Sequence, residues 1–415
     1  MRVTHVITRL VVGGAQENTV ATVLGLLKQP GFQVDLLSGP ETGPEGTLEA
    51  AFTPHPGVLR FVPDLVRPVH PWKDAAAYRR LVTLLRELRP DIVHTHSGKA
   101  GILGRLAARK AGVPIILHHI HGPSFGTFQG ALPNAVFTAA ERYAAKATTH
   151  FLCSASAMSR LYLQAGIGTP EMYTRVFSGF QIEPFLAAAN DPDLRRKLNL
   201  PADAFVIGKI ARLAPLKGHE DALRVMKKLL PAVPQARLLL IGGGPLLEHL
   251  KQRVAELGLE GKVIFTGLVA PSDVPRYVGL LDCLAHLSAR EAVSRALPQA
   301  LAAGKPVVAY EFDGADEVCF EGETGFLAEM GGIETVVRRL KELAASPELR
   351  TRLGNRGREI VAREFPVERM VETIARLYAT LAANKNLRLP QVKAPGNPDP
   401  RQIEATDPLF RRRRL

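Results

Sequence analysis

Cysteine is scarce in this sequence: Cys153, Cys283 and Cys319 are the three in 415 residues, and no two of them form a Cys-x-x-Cys pair. That gives no support to a disulfide framework or a cysteine-held zinc site, and leaves the three as small buried hydrophobes. Aromatic residues are few as well, 6% with a single tryptophan. With no recognised nucleic-acid motif beside them, nucleic acid is not an expected partner. No run approaches the ~20 consecutive apolar residues that a membrane-spanning helix needs. The first residues, Met1-Arg2-Val3-Thr4-His5-Val6-Ile7, read as a strand and lack the apolar core of a secretory signal, so a cytoplasmic location is expected. A dinucleotide fingerprint is missing too. Ile241-Gly242-Gly243-Gly244-Pro245 follows an apolar strand, but Pro245 and Leu246 break the Gly-x-Gly-x-x-Gly spacing, which weakens an oxidoreductase reading.

What is present is length and positive charge. The chain is long enough for two domains with full cores, and 46% hydrophobic residues suit a soluble globular protein. A net charge of +13 attracts acidic partners such as nucleotides or anionic headgroups without choosing among them. Arg411, Arg412, Arg413 and Arg414 end a proline-rich tail that begins near Asn384. Two readings of it stay open. It is a solvated, disordered extension, or, with Phe410, it holds the protein peripherally to the anionic inner face of the plasma membrane, at about 1 kcal/mol per basic residue.

Short apolar runs alternate with helical patterns, the signature of parallel sheets covered by helices. Strands are expected at 4–7, 33–38, 92–95, 115–119 and 151–154, with helices at 75–87, 101–111 and 135–145. A second set of strands is expected at 206–210, 237–241, 263–266, 283–287 and 307–310. The fold class is therefore α/β, with two Rossmann-like, doubly wound parallel-sheet domains facing a cleft. The boundaries are 1–180 and 181–366, with an amphipathic helix at 367–383 packing back onto the first domain and a tail at 384–415. Ligands of such sheets lie beyond the carboxyl ends of the strands.

The chemistry concentrates in the stretch Arg290-Glu291-Ala292-Val293-Ser294-Arg295-Ala296-Leu297-Pro298-Gln299-Ala300-Leu301-Ala302-Ala303-Gly304-Lys305-Pro306-Val307-Val308-Ala309. It puts Glu291 on a turn after a strand and Gln299 eight residues on, nearly the same helix face at 3.6 residues per turn. The amides of Ala292, Val293 and Ser294 are expected at the helix start, where a phosphate or sugar oxygen is favoured. Arg212 and Lys217, in Gly208-Lys209-Ile210-Ala211-Arg212-Leu213-Ala214-Pro215-Leu216-Lys217-Gly218, form a phosphate clamp that needs no metal, or else a solvated basic loop. Gly13 and Gly14 open a helix after the first strand, and the turn at Gly243 and Gly244 faces the same cleft. His94, His96, His118, His119 and His121 cluster at two strand ends. Alternation puts His94 with His96 and His119 with His121 on one face, but no acidic partner completes a metal set. Asp191-Pro192-Asp193 mimics a metal-binding Asp-x-Asp pair, yet Asp191 is better placed to cap a helix at 193–198.

The stretch from Glu291 resembles the donor-site signature of the retaining glycosyltransferases of family 4, which have the GT-B architecture. In that signature a Glu and a second Glu eight residues on precede an Ala-x-Gly-x-Pro-Val-Val strand entry. The likeness continues through Glu317, Gly322, Thr324, Gly325, Phe326 and Leu327, and covers about residues 1–383. Gln299 replaces the second Glu, and Ala292 and Ala211 stand where glycines are usual. The resemblance implies a nucleoside-diphosphate sugar donor and a glycan or lipid-linked acceptor in cell-surface polysaccharide synthesis, with retention of configuration and no cofactor or metal. It implies catalytic roles for His121, Glu291, Arg212 and Lys217. It implies donor contacts at Gly13, Gly14, Gly243, Gly244, Leu268, Ala292, Val293, Ser294 and Gln299, with Gln299 on the ribose. On the acceptor side, His96 and Lys99 are assigned from the helix-opening turn that they share, Lys99 toward an acceptor phosphate. A sugar-nucleotide hydrolase or epimerase, and a degenerate non-catalytic binding protein, remain the alternatives.

Overall fold

The computed structural model describes residues 1–387, apart from 41, 42, 44, 45 and 127. Strand and helix alternate from the start. The first run comprises β1 (Arg2–Ile7), α1 (Gly14–Leu27), β2 (Gln33–Ser38), β3 (Leu59–Phe61), α2 (Pro71–Leu88), β4 (Ile92–His96), α3 (Gly98–Ala111), β5 (Ile115–Ile120), α4 (Ala131–Ala145), β6 (His150–Cys153), α5 (Ser156–Gln164) and β7 (Tyr173–Arg175). The second comprises α6 (Glu183–Leu186), α7 (Pro192–Lys197), β8 (Phe205–Ile210), α8 (His219–Leu229), β9 (Ala236–Ile241), α9 (Leu247–Glu256), β10 (Val263–Phe265), α10 (Val274–Gly279), β11 (Cys283–His286), α11 (Ala296–Ala302), β12 (Val307–Tyr310), β13 (Gly325–Ala328), α12 (Ile333–Ala345), α13 (Pro347–Glu364) and α14 (Val367–Ala383).

Each run builds one sheet, in the orders β3-β2-β1-β4-β5-β6-β7 and β10-β9-β8-β11-β12-β13. Pairing is parallel across the centre of both. The order reverses between β1 and β4 and again between β8 and β11, so each sheet is doubly wound and its ligand crevice lies beyond those strand ends. Helices cover both faces, which is why β4, β5, β11 and β12 are buried at every position. Edge strands β3 (Leu-Arg-Phe) and β7 (Tyr-Thr-Arg) escape the sequence reading because their three partly exposed residues hold no apolar run, and β13 escapes it too.

The two crossings between sheets lie side by side: Phe180 N donates to Phe365 O at 3.1 Å, and the Phe177 and Phe365 rings stack 4.6 Å apart. Beyond the second crossing, α14 buries Val367, Met370, Val371, Ile374, Ala375, Tyr378 and Ala382, a stripe at helical spacing. It shares an apolar cluster with Val20, Val23 and Leu26 of α1. The last helix therefore belongs to the core of the first sheet. Asp191 caps α7, accepting from the amides of Asp193 and Leu194 at 3.0 Å, so the Asp-x-Asp pair serves a helix end. Cys153, Cys283 and Cys319 are buried and unbridged. No helix among the described residues is long and apolar enough to cross a membrane. A turn at 384–386 follows α14; Arg411 to Arg414 and the surface assigned to them lie outside the described residues.

Candidate active site

The loops after β8 and β11 are pressed together at the crevice of the second sheet. Gly218, at φ 69, precedes α8, and a Cβ there would lie 1.8 Å from Leu287 O, so only glycine permits this approach. Leu216 is held left-handed at φ 66, with its carbonyl accepting from Ala289 N at 2.8 Å. A non-glycine residue in that region stores strain, which the surrounding loops must enforce. The consequence is that Lys217 meets Glu291: Lys217 Nζ and Glu291 Oε1 form an ion pair, with side chains 26% and 28% exposed.

Asp313, which the sequence reading missed, fixes the other side of Glu291. Its Oδ2 accepts from Glu291 N at 2.6 Å, and burial, reinforced by the Glu291 charge, raises its carboxyl to about 6 against the pull of that amide. An Asp-Gly turn directly after the 307–310 strand was the available signal. His121 approaches from the first sheet, just past β5. Together His121, Gly122, Pro123, Pro215, Leu216, Lys217, Arg290, Glu291 and Ala292 line an interdomain pocket of about 240 Å³. A larger depression, about 570 Å³, is lined by Arg2, Thr83, Arg86, Glu87 and Arg89. It sits where β1 begins, at the wrong end of the strands for a doubly wound sheet.

Residues on both sides tie the pocket walls together. Arg295 pairs with Glu17 of α1. Arg290 donates to Pro123 O at 2.8 Å and lies 3.6 Å from the Phe128 ring centroid. Glu317 accepts from Ser156 Oγ at 3.2 Å and from Ala157 N at 3.3 Å, at the start of α5, and pairs with Arg175 at 3.3 Å. Arg290, Arg295 and the partners of Glu317 were invisible in sequence because each contact joins different domains.

Several expected placements change. Helix α11 starts at Ala296, where winding begins with Leu297 N donating to Ser294 O and Gln299 N to Arg295 O. Glu291 therefore stands on a loop, and the shared helix face with Gln299 does not exist. Gln299 is half-buried on α11 and does not line the pocket. The amides of Ala292, Val293 and Ser294 precede the helix, and the Ala292 and Val293 side chains are buried. Arg212 is exposed on the Lys217 loop and is not among the pocket's lining residues. Gly14 faces Arg295 across the cleft, where a Cβ would lie 3.6 Å from its Cδ, while at Gly13 the nearest atom would be Gln16 Oε1. Gly243 and Gly244 pack against neighbouring loops: a Cβ on Gly243 would lie 3.3 Å from Leu268 N, and one on Gly244 2.5 Å from Leu213 O. Leu268 is largely exposed.

The acceptor-side assignments need correction. His96 is fully buried and bonds to other histidines through both nitrogens, His5 Nδ1 at 2.9 Å and His121 Nε2 at 3.0 Å. Lys99 is not a free cation, since it pairs with Asp74 Oδ1 at 2.5 Å and donates to Pro68 O. Burial is the reason in both cases: a polar group removed from water needs an internal partner. His94 and His96 stack, as do His119 and His121, with centroids 4.3 and 4.0 Å apart. The triads His5/His94/His96 and His96/His119/His121 each bring one nitrogen per residue within 4.8 Å of the others. Desolvation drives the His5 and His121 pKa values down to about 3 and that of His96 well below its ordinary value. Desolvation favours the neutral form of these rings; His5, His96 and His121 are hydrogen-bonded in line, while His94 Nδ1 bonds to the Tyr378 hydroxyl at 2.5 Å and His119 Nε2 to Ser154 Oγ at 3.3 Å, and neither triad includes a carboxylate. On β8, Lys209 is buried, its Nζ has no hydrogen-bond partner, and burial lowers its pKa to about 7.

Comparison with known proteins agrees with this geometry. The family described as "Glycosyl transferase 4-like domain" matches residues 13–176, and "Glycosyl transferases group 1" matches residues 190–360. The UDP-Gal:alpha-D-GlcNAc-diphosphoundecaprenol alpha-1,3-galactosyltransferase of Escherichia coli is 28% identical over 392 residues, 93% of this chain and 98% of that protein. Among solved structures, Anabaena HepE in complex with UDP and glucose superposes with a TM-score of 0.77 at 22% identity, covering 92% of this chain and all of that one. Sucrose-phosphate synthase from Thermosynechococcus elongatus also gives 0.77, at 19% identity and with 92% and 100% covered. With one matched glycosyltransferase domain on each sheet, this chain belongs to the family 4 type of glycosyltransferases, built on the GT-B architecture.

Proposed function

We propose that the enzyme moves a hexose, with retention, from a uridine-diphosphate sugar to a lipid-linked saccharide acceptor. The observation that carries this reading is the Lys217–Glu291 pair facing His121 across the cleft. Without ligand the cation and carboxylate neutralise each other. When a donor enters, its diphosphate draws the Lys217 ammonium and its sugar hydroxyls engage the freed Glu291 carboxylate. Charge then accumulates on the departing diphosphate beside Lys217, whose ammonium stabilises the transition state without a metal.

Retention is what the family resemblance implies, and the carboxylates bear only on its route. Double displacement needs two carboxyl groups about 5 Å apart across the anomeric carbon, and Glu291 is the one carboxylate among the described residues lining the pocket. A front-face route fits better, in which the departing diphosphate oxygen takes the acceptor's proton on the same side. The uridine and the lipid-linked acceptor draw support from the galactosyltransferase relative, whose name contains both UDP-Gal and diphosphoundecaprenol. Attachment to the inner face of the plasma membrane through the basic tail belongs to the same proposal.

The test is a panel of nucleotide sugars, assayed for acceptor-dependent release of diphosphate in the presence of EDTA, with the product anomer read by NMR. UDP-hexoses are expected to react with retained configuration and undiminished by the chelator. Glu291→Gln and Lys217→Ala, both folded, should each lower kcat/KM by roughly 10²-fold or more. Full activity in both variants, or release that ignores the acceptor, would overturn the assignment.

A further inference from the structure

Three imidazoles form a line from the middle of the first sheet to the pocket. His5 lies on β1, His96 at the end of β4, and His121 just past β5, adjacent strands in the parallel order. His5 Nδ1 is 2.9 Å from His96 Nε2, and His96 Nδ1 is 3.0 Å from His121 Nε2. His5 and His96 are fully buried, whereas His121 lines the pocket. Stacking against His94 and His119 holds the ring planes, with centroids 4.3 Å apart for His94–His96 and 4.0 Å for His119–His121.

Proton counting decides what this line presents to the cleft. Each neutral ring carries one N–H, so the two links leave one bare nitrogen at one end and one N–H at the other. The inner end is His5 Nε2, which is buried without a partner. If the links ran inward, that atom would be a stranded N–H donor in the core. If they run outward, it is a bare nitrogen, and the surplus proton lies on His121 Nδ1, where ligand or water can accept it. Orphaned buried N–H groups are the rarer kind of unsatisfied atom.

We infer that His5 and His96 are positioning residues that lock His121 as the Nδ1–H tautomer, with Nε2 turned inward, so that the nitrogen offered to the sugar is a donor. The consequence for mechanism is that His121 cannot take the acceptor's proton, because its lone pair is committed to His96. It can donate to a sugar hydroxyl oxygen, and the acceptor proton must leave by another route. This inference rests on the donor-sugar reading of the pocket, but the tautomer itself does not.

Long-range ¹H–¹⁵N correlation on histidine-labelled native protein tests it directly, without a variant or a substrate. Protonated Nδ1 and bare Nε2 are expected at His5, His96 and His121, unchanged between pH 6 and pH 8. An Nε2–H form at His121 would overturn the inference. His96→Phe should release His121 into mixed tautomers and lower kcat by roughly tenfold with little change in donor KM, a size set by one lost hydrogen bond. His96→Gln, whose amide can donate to His121 Nε2, should recover most of both. A single native tautomer at His121 in His96→Phe would refute the positioning role. Native NMR as expected but no transfer from any nucleotide sugar would instead reject the proposed reaction and leave the tautomer standing.

Discussion

At the residue scale, Lys209 is a charged group that the fold accommodates at a cost. It stands on β8 with no hydrogen-bond partner, close enough to Lys217 for repulsion and to Glu291 and Asp221 for partial relief. Its pKa falls from 10.5 to about 7, chiefly through desolvation. Between those values the unfolded chain binds a proton there that the folded chain does not. Stability from this group therefore rises as pH climbs from about 7 toward 10.5, and its penalty is complete below about 7. Lys209→Met, of similar length and uncharged, should stabilise the fold by about 0.5–2 kcal/mol at pH 6.5, with the gain shrinking by pH 10. Paired urea titrations at both pH values measure it. A gain that ignores pH, or a loss at pH 6.5, would show that the ammonium is not the source of strain.

Helix packing decides how firmly the Glu291 loop is seated, because α11 follows that loop directly and α13 lies across α11. Two α13 glycines, one turn apart, make the contact: a Cβ on Gly354 would stand 1.9 Å from Gly304 O, and one on Gly357 2.4 Å from Leu301 Cδ2. The first clash is with backbone, which cannot rotate away. Glycine to alanine inside a helix normally stabilises by about 1 kcal/mol. Gly354→Ala should reverse that sign and cost about 1–3 kcal/mol by overpacking, with weaker UDP binding as α11 shifts. Denaturant unfolding and calorimetry report the two effects, and an alanine variant as stable as the native protein would rule out this seating. The elements themselves were largely legible in sequence. The buried strand Val307–Tyr310 is a continuous apolar run between turn residues, and the Val367–Ala383 stripe repeats every three to four positions. The start of α11 was not, since Ala292 to Ala300 suits a helix by composition and only tertiary contacts delay the winding to Ala296. Lys217 and Glu291 could be named from their motifs, while their direct pairing could not.

For the whole molecule, the contacts that sequence hides are those between the two sheets, and Glu317 is central to them. Its carboxylate sits at the amino end of α5, accepting from Ser156 Oγ and Ala157 N, and pairs with Arg175 from β7. A helix amino terminus favours an anion there, so one side chain of the second sheet satisfies an end of a helix in the first. Arg295–Glu17 and Arg290–Pro123 add two further ties near the pocket. The described conformation is thus held together before any donor binds. If closure prepares the pocket, apparent donor affinity scales with the closed fraction. Glu317→Ala removes three of these contacts at once while Arg175 keeps its stacking on Phe177, 4.2 Å from the ring centroid. The variant should show a larger radius of gyration than the native enzyme without ligand, a difference that vanishes at saturating UDP. Donor KM should rise several-fold while kcat at saturation stays near native, because Glu317 does not line the pocket. Small-angle scattering and steady-state kinetics on the same preparations decide the matter. A fall in kcat with unchanged KM would place Glu317 in the chemistry, and identical scattering in both proteins would show that closure does not depend on it.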